Sequence, residues 1–313
     1  MRNWIFLLFV LFILPVYGQG DKYPTIDSAV EKQTFTFARK DSVELQLDKY
    51  RLKTAKEQQP CVFFVFGGGF TNGKRDNPRY NNYFNYLANH GYTVISIDYR
   101  LGLAGGKKNI GPTNYKPLLN AIQLAVNDLF EATAFALQHA DEWNIDANRF
   151  VVSGSSAGAI TAMQAEYENR NKSALSEPLP SDFQYAGVIS FAGAIFSANG
   201  SLKWKAEPCP FLLFHGDNDK IVPYKGIRFF KLNFAGSKKI VGDFNKKQFP
   251  YWFLSFKGAA HEIAEDKMDD GQEAILEFLQ YYITQKERKQ LDSYVNEMSK
   301  SKSNKVKSYK DLY

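Results

Sequence analysis

The stretch FVVSGSSAGAI, residues 150–160, joins an apolar run to a run of small residues. Its first half is typical of a buried strand, and the residues after it are typical of a helix. The centre fits the pattern G-x-S-x-G, in which Ser156 occupies a strained strand-to-helix turn, while Gly154 and Gly158 leave room for neighbouring backbone. The pattern predicts that Ser156 is a nucleophile; the alternative is an ordinary serine-rich turn.

Apolar runs on either side of this stretch set the fold class. Each run is continuous and is bounded by glycine, proline or charge, as in strands that are buried on both faces of a parallel sheet. The runs are CVFFVF (61–66), YTVISID (92–98), RFVVSG (149–154), AGVISFAG (186–193), PFLLFHG (210–216) and YWFLSFKG (251–258). Helical periodicity at 118–132 and 275–282 separates them, whereas 33–38 and 42–52 alternate like paired, half-exposed strands. The pattern predicts an α/β fold with a mostly parallel sheet flanked by helices.

Composition indicates one large core and a distinct tail. The chain has 313 residues, 44% of them hydrophobic, with no internal repeat or interdomain linker. Its formal charge of +6 is concentrated in residues 285–313, which carry eight Lys or Arg and four Asp or Glu. The remainder is therefore nearly neutral, and we predict no nucleic-acid partner. We expect a catalytic domain over 19–284, then a polar helix continuing past Tyr282 and a disordered basic tail.

The first residues resemble an export signal. Arg2 is followed by an apolar run of 13 residues, Trp4–Val16, and by the small residue Gly18. The run is shorter than the roughly 20 residues that span a bilayer. We predict a signal peptide over 1–18, a secreted or periplasmic protein that begins near Gln19 or Asp21, and no stable membrane insertion after cleavage. An uncleaved anchor is the alternative.

A serine hydroxyl needs a base to take its proton, and the chain has four histidines. His90 closes a predicted helix and His139 lies in another, so both are expected to be structural. His215 ends a strand and is expected to support the loop that follows it. His261 follows the last predicted strand among small residues, and it is the predicted base.

The acid is expected after a strand that lies between serine and histidine in the chain. The loop HGDNDKIVPY offers Asp219, which we favour because it stands farther out, and Asp217 as the fallback. The order serine, acid, histidine is that of the α/β-hydrolase triad, in which the acid orients the imidazole.

A glycine triplet after the first parallel strand suits an oxyanion hole. Bare backbone N–H groups there can approach the carbonyl oxygen that becomes negative during attack. We predict that the N–H groups of Gly68 and Gly69 serve with that of Ala157, which follows the nucleophile.

Together these motifs resemble the α/β-hydrolase superfamily over about residues 35–283. The chain is most similar to bacterial serine esterases with an HGGGF-type loop, a D-Y-R-L segment (98–101) and a GxSAG elbow, which include carboxylesterases and acetylxylan or feruloyl esterases. The resemblance implies an eight-stranded sheet in the order 1-2-4-3-5-6-7-8. Phe66 departs from the pattern, because it stands where that branch usually has histidine, and we expect weaker side-chain hydrogen bonding in the loop.

The implied strand order bears on the two cysteines. Cys61 begins the third strand and Cys209 the seventh, with two strands between them. Since neighbouring strands lie about 4.8 Å apart, the thiols would be too distant to bridge. We predict two free, buried thiols.

These observations predict a serine esterase that needs no metal or organic cofactor. Only 16 residues separate AGVISFAG from PFLLFHG, so we expect no large cap domain and an open cleft. Phe70, Tyr80 and Tyr115 near its mouth are candidates to stack on sugar or aryl groups, or are ordinary packing. The predicted partner is a small-molecule or glycan-attached ester. Alternatives are an aminopeptidase of prolyl-oligopeptidase type and an inactive binding protein of the same fold; the oligomeric state is left open.

Overall fold

The computed structural model describes residues 23–40, 42–105, 110–111 and 113–296. The predicted signal peptide and most of the basic tail lie outside these residues. In chain order the strands are β1 (Val30–Lys40), β2 (Val43–Leu52), β3 (Gln59–Val65), β4 (Thr93–Ile97), β5 (Ile145–Ser155), β6 (Gly187–Phe191), β7 (Ala194–Ser197), β8 (Phe211–Gly216), β9 (Ile227–Phe229), β10 (Leu232–Gly236), β11 (Tyr251–Phe256) and β12 (Gln290–Val295).

Helices connect most of these strands. The α-helices are α1 (Asn81–Asn89), α2 (Lys116–Gln138), α3 (Ala157–Arg170), α4 (Ser237–Lys247), α5 (Ile263–Asp270) and α6 (Gln272–Phe278), which continues as a π-helical turn, Leu279–Thr284. None of the helices in the described ranges combines the length and the apolar character needed to cross a bilayer.

The main sheet runs β1-β2-β4-β3-β5-β6-β8-β11-β12. β1–β2 and β2–β4 are antiparallel, and the other neighbouring pairs are parallel. The first eight positions match the predicted order. The sheet contains a ninth strand, β12, where a polar helix was predicted, so the expected boundary at residue 284 cuts off a paired strand. Because β12 is an edge strand with exposed side chains, its sequence lacks an apolar run.

The central strands are buried on both faces, as their apolar runs require. Every residue of β4, β6 and β8 is buried. On one face α1 contacts α5, and on the other α2 contacts α3. The core is thus layered helix, sheet, helix, and the parallel strands open their carboxyl ends at one edge, where ligands of such folds bind.

A second, three-stranded sheet was not predicted. It has the order β7-β10-β9, with both pairs antiparallel. β7 follows β6 after two residues, and the β9–β10 hairpin belongs to the connection between β8 and β11. This small sheet stands beside the carboxyl edge of the main sheet and is far too small to be a cap domain.

Candidate active site

Ser156 lies in the turn between β5 and α3, as predicted. Its backbone has φ 52° and ψ −114°, a conformation that is costly for a residue with a side chain. A Cβ at Gly154 would lie 2.3 Å from the backbone of Gly158, and one at Gly158 would lie 1.9 Å from the carbonyl oxygen of Val65. The two glycines therefore allow strand, turn and helix to pack closely enough to hold the serine in this strained turn.

The two neighbouring serines are used for packing. The Ser155 hydroxyl donates to the carbonyl of Ala264 at 2.7 Å, and the Ser153 hydroxyl lies 3.0 Å from the Tyr83 hydroxyl. Both serines are buried, whereas Ser156 is partly exposed and lines a cavity. Only Ser156 of the three is presented to a substrate.

Three predicted residues meet in one hydrogen-bonded chain. His261 Nε2 lies 2.8 Å from Ser156 Oγ, and His261 Nδ1 lies 2.7 Å from Asp219 Oδ2. The residues come from the ends of three parallel strands, β5, β8 and β11, which terminate at the same edge of the sheet. This is the geometry in which an imidazole can accept the serine proton while a carboxylate holds its other nitrogen.

The surroundings of Asp219 keep its carboxylate ionised. Burial alone would raise its pKa, but hydrogen bonds from His215 and His261 outweigh burial and lower the pKa from its usual range. Asp219 Oδ1 also accepts the backbone N–H groups of Ile221 and Val222, at 2.8 and 3.0 Å. An ionised carboxylate only accepts, so His261 carries its proton on Nδ1 and presents Nε2 to the serine as an acceptor.

The fallback acid, Asp217, has a different place in the structure. Its carboxylate accepts the backbone N–H of Gly258 at 2.7 Å and the Tyr294 hydroxyl at 3.0 Å. Asp217 therefore ties the edge strand β12 to the loop after β11 and does not contact His261. The preference for Asp219 agrees with the geometry.

His215 contributes more than the sequence indicated. It is fully buried, its Nε2 lies 2.9 Å from the Val222 carbonyl and 3.4 Å from Asp219 Oδ2, and its Nδ1 lies 2.7 Å from the Ser237 hydroxyl. Nε2 thus faces only acceptors and must carry a proton, which makes His215 a second donor to the carboxylate. Sequence reasoning assigned it only to loop support.

The other two histidines end helices, as expected. His90 follows α1 and His139 follows α2, and each ring nitrogen Nδ1 lies within 2.8 Å of a carbonyl one turn earlier in its own helix. Neither contacts the site.

The glycine loop after β3 supplies backbone beside Ser156. Gly69 and Ala157 line the same cavity as Ser156, whereas Gly68 does not. The Gly68 carbonyl accepts the N–H groups of Thr71 and Asn72, and a Cβ on Gly68, at φ 128°, would lie 2.1 Å from the Asn72 carbonyl oxygen. Gly68 is thus needed for the turn, and the structure puts two of the three predicted donors on the cavity wall.

Phe66 anchors this loop by stacking. Its buried ring lies 4.3 Å from the Tyr99 ring at an interplanar angle of 26°, and the Tyr99 hydroxyl donates to the Phe66 carbonyl at 3.0 Å. Gly67 N–H also approaches the Tyr80 hydroxyl, at 3.4 Å. Aromatic packing and backbone hydrogen bonds hold the loop at the position where the resembling esterases use histidine.

The cavity beside Ser156 is almost entirely apolar. One wall is Tyr115 with the first turn of α2, and the opposite wall is the three-stranded sheet and the loop 221–223. Of the three aromatic residues predicted at the mouth, Phe70 and Tyr80 are buried and belong to the core, and Tyr115 lines the cavity and stacks on Phe196. The cleft was expected to be open, but the three-stranded sheet, which the sequence did not reveal, forms a wall on one side of it.

Comparison with known proteins finds esterases that are similar to parts of this chain. A family model described as BD-FAE matches residues 47–198, just under half of the chain. The fumonisin B1 esterase of Sphingopyxis macrogoltabida is 30% identical over 100 residues, 32% of this chain and 18% of that protein. Gut esterase 1 of Caenorhabditis briggsae is 27% identical over 124 residues, 38% of this chain and 20% of that protein. The matched stretches span about a fifth of the length of these curated relatives.

Solved structures extend the similarity to most of the chain. Thermogutta terrifontis esterase 2, in its apo form, superposes with a TM-score of 0.61 at 22% identity, covering 83% of this chain and 97% of that chain. Its butyrate-bound form gives 0.61 at 21% identity, covering 81% and 94%. This likeness shows the fold. The chain has the fold of these esterase structures, and the curated relatives that it matches over part of its length are esterases.

Proposed function

We propose that the protein is a carboxylic ester hydrolase in which Ser156 is the nucleophile, His261 the general base and Asp219 the residue that orients the base. The observation that carries the proposal is the hydrogen-bonded chain from Ser156 through His261 to an ionised Asp219, with the serine held at positive φ. Packing of an ordinary loop histidine does not require a position between a strained serine and a buried carboxylate.

The proposed reaction has two halves. Ser156 Oγ attacks the ester carbonyl carbon while its proton moves to His261 Nε2, and the carbonyl oxygen becomes negative. As the carbon–alcohol bond breaks, His261 gives that proton to the leaving alkoxide, which departs as the alcohol. Water then attacks the acyl-enzyme with His261 again as base, releasing the acid and restoring the serine.

Backbone N–H groups are proposed to hold the negative oxygen. Those of Gly69 and Ala157 adjoin the cavity, and no hydrogen bond found among the described residues uses them. The sequence also predicted Gly68 as a donor to this oxygen. Its turn geometry favours a different role, which is to shape the loop. Loss of one such donor typically costs about 10²–10³ in rate.

The substrate class proposed is an ester with an apolar acyl or aryl group. The described residues that line the cavity next to Ser156 carry aliphatic and aromatic side chains and include no carboxylate. An aminopeptidase would need an acidic group to bind the substrate's α-amino group, so this lining supports an ester over a peptide substrate.

Attachment of the ester to carbohydrate, and export of the protein, remain predictions. Burial of Phe70 and Tyr80 removes two of the three aromatic residues proposed to stack on sugar. Release of acetate or ferulate from decorated glycans would test the first, and the N-terminus of the mature protein, expected near Gln19 or Asp21, would test the second.

A fluorophosphonate probe tests the function directly. We expect the wild type and Ser155→Ala to be labelled covalently and to hydrolyse short p-nitrophenyl esters. Ser156→Ala should be neither labelled nor active, with kcat reduced by at least about 10⁴-fold. An unlabelled wild type, or a labelled Ser156→Ala, would overturn the proposal and would favour the inactive binding protein.

A further inference from the structure

The β9–β10 hairpin ends in an exposed aromatic residue. The pairing of Phe229 with Leu232 leaves Phe230 and Lys231 as a two-residue turn. Phe230 is 84% exposed, the largest exposure among the described large hydrophobic residues, and its φ is 52°.

Nothing in the fold requires phenylalanine at this turn. Two-residue hairpin turns with positive φ favour glycine and asparagine, and a bulky side chain there is strained. An exposed aromatic ring also lacks the hydrophobic stabilisation that burial would give it. A residue that is unfavourable for both backbone and solvent reasons indicates a function of the side chain.

The tip is continuous with the cavity beside Ser156. On one face of the hairpin Ile227 and Phe229 lie opposite Phe234 and Leu232, and all four side chains line the cavity. Ile227 and Phe229 are also 40% and 42% exposed, and the Phe229 ring lies 4.7 Å from that of Phe230. An apolar surface therefore runs from the nucleophile outward to the tip.

The segment that carries this apolar tip is rich in cations. Residues 220–239 contain six Lys or Arg and no Asp or Glu. All six are exposed, and the four that precede Leu232 in the chain form no ion pair with another described residue: Lys220, Lys225, Arg228 and Lys231. Exposed aromatic and aliphatic side chains in the same segment as unpaired, exposed cations match the chemistry of an anionic lipid surface.

We propose that the β9–β10 hairpin docks on an anionic lipid surface, so that Phe230 enters the apolar layer while the cations meet the headgroups. Resting on the proposed function, this makes the natural substrate an amphiphilic ester that passes from the surface along Phe229 into the cavity at Ser156. A second copy of the chain is the less suitable occupant, because a symmetric contact would bring the four cations against their own counterparts.

Vesicle binding tests the docking in the full chain, on a Ser156→Ala background so that no substrate is consumed. Vesicles of phosphatidylcholine alone are compared with vesicles that also contain phosphatidylglycerol, by co-sedimentation. The tip variants are Phe230→Asn, which suits the positive φ, and Phe230→Trp. The charge variant is Lys225→Glu/Lys231→Glu. Its matched control is Lys56→Glu/Lys246→Glu, which changes the charge equally at exposed positions near the amino ends of the parallel strands, away from the carboxyl edge. All variants share the same N-terminal and C-terminal segments, so differences between them report on the hairpin.

We expect binding to the anionic vesicles that Phe230→Asn and the charge variant each weaken by about tenfold or more. Phe230→Trp and the matched charge control should bind like the parent, and phosphatidylcholine alone should bind weakly. Equal binding by the parent and Phe230→Asn, or no binding to anionic vesicles, would overturn the docking. A dimer in solution that Phe230→Asn dissociates would also overturn it, in favour of self-association.

Activity separates the docking from the proposed function. With Ser156 present, Phe230→Asn should hydrolyse a soluble short-chain ester as well as the wild type does, and should lose about tenfold in rate on an ester embedded in anionic vesicles. Hydrolysis of the soluble ester without any vesicle binding would refute the docking alone. Vesicle binding without hydrolysis of any ester would refute the proposed function alone.

Discussion

Two buried carboxylates, Asp219 at the carboxyl edge of the sheet and Glu166 within α3, have pKa values that are shifted in opposite directions. The pKa of Asp219 lies below its usual range, because hydrogen bonds from two histidines overcome the cost of burial. Burial raises the pKa of Glu166 to about 7, because Arg170 and the Cys209 backbone only partly offset it.

The difference lies in the number of donors around each carboxylate. Both oxygens of Asp219 are engaged, Oδ1 by two backbone N–H groups and Oδ2 by His261. Glu166 Oε1 accepts the Cys209 N–H at 2.9 Å, and Oε2 has no hydrogen-bond partner among the described residues. A buried carboxylate thus stays charged only where several donors meet, which is what orienting a base requires.

The sharpest test of this comparison is neutralisation of each carboxylate. Asp219→Asn should lower kcat by about 10⁴-fold, since an amide can donate to Nδ1 and hold His261 in the wrong tautomer. Glu166→Gln and Asp217→Asn should leave kcat/KM near the wild-type value, because neither side chain contacts His261. Steady-state hydrolysis of a soluble ester measures all three, and a mild effect of Asp219→Asn would remove its orienting role.

The second test is the pH dependence of stability. A raised pKa means that folded Glu166 binds a proton between about pH 4.5 and 7 that the unfolded chain releases, so the free energy of unfolding falls as pH rises through this window, by up to about 3 kcal/mol. Glu166→Gln should flatten this fall, whereas Glu177→Gln at an exposed position should retain it. Urea unfolding at pH 5 and pH 8 measures the free energy of unfolding of both variants. An equal fall between the two pH values in the wild type and in Glu166→Gln would contradict the assignment to Glu166.

A smaller effect is expected from the second donor to Asp219. His215→Gln removes the hydrogen bond that most lowers the Asp219 pKa. The stability linked to that depressed pKa is present above about pH 4, the ordinary carboxylate value, and is lost as pH falls below it. The variant should narrow the difference in unfolding free energy between pH 7 and pH 3 by up to about 1 kcal/mol. His139→Gln should leave the difference in unfolding free energy unchanged. If both variants narrowed it equally, His215 would have no specific role as a donor to Asp219.

The smallest change is expected at the cysteines. Burial raises the pKa of both the Cys61 and Cys209 thiols, and Glu166 adds to the effect at Cys209. The structure has both as free, buried thiols, as predicted. Alkylation of the native protein should leave its mass unchanged, and alkylation after unfolding without a reductant should add two labels. A single disulfide in place of two labels would contradict the strand order.

The parallel strands of the main sheet were predictable because each one is buried on both faces and therefore has a continuous apolar run. The same reasoning missed β12, whose sequence QLDSYV is largely exposed at a sheet edge. It also missed the three-stranded sheet, since β7 continues the apolar sequence of β6 and the exposed side chains of β9 carry no burial signal. Period and apolarity report burial, so they miss the exposed strands β9 and β12 and do not separate β7 from the buried strand before it.

The sequence by itself determined the elbow around Ser156, the order of the proposed nucleophile, acid and base along the chain, and the α/β class. These depend on local sterics and on burial, which act between residues close in sequence. Only the tertiary structure decided that Asp219 rather than Asp217 meets His261, that Gly69 rather than Gly68 faces the cavity, and that His215 reinforces the carboxylate. Those choices depend on ångström-scale distances between strand ends far apart in the chain, which packing of the whole sheet sets and no local pattern encodes.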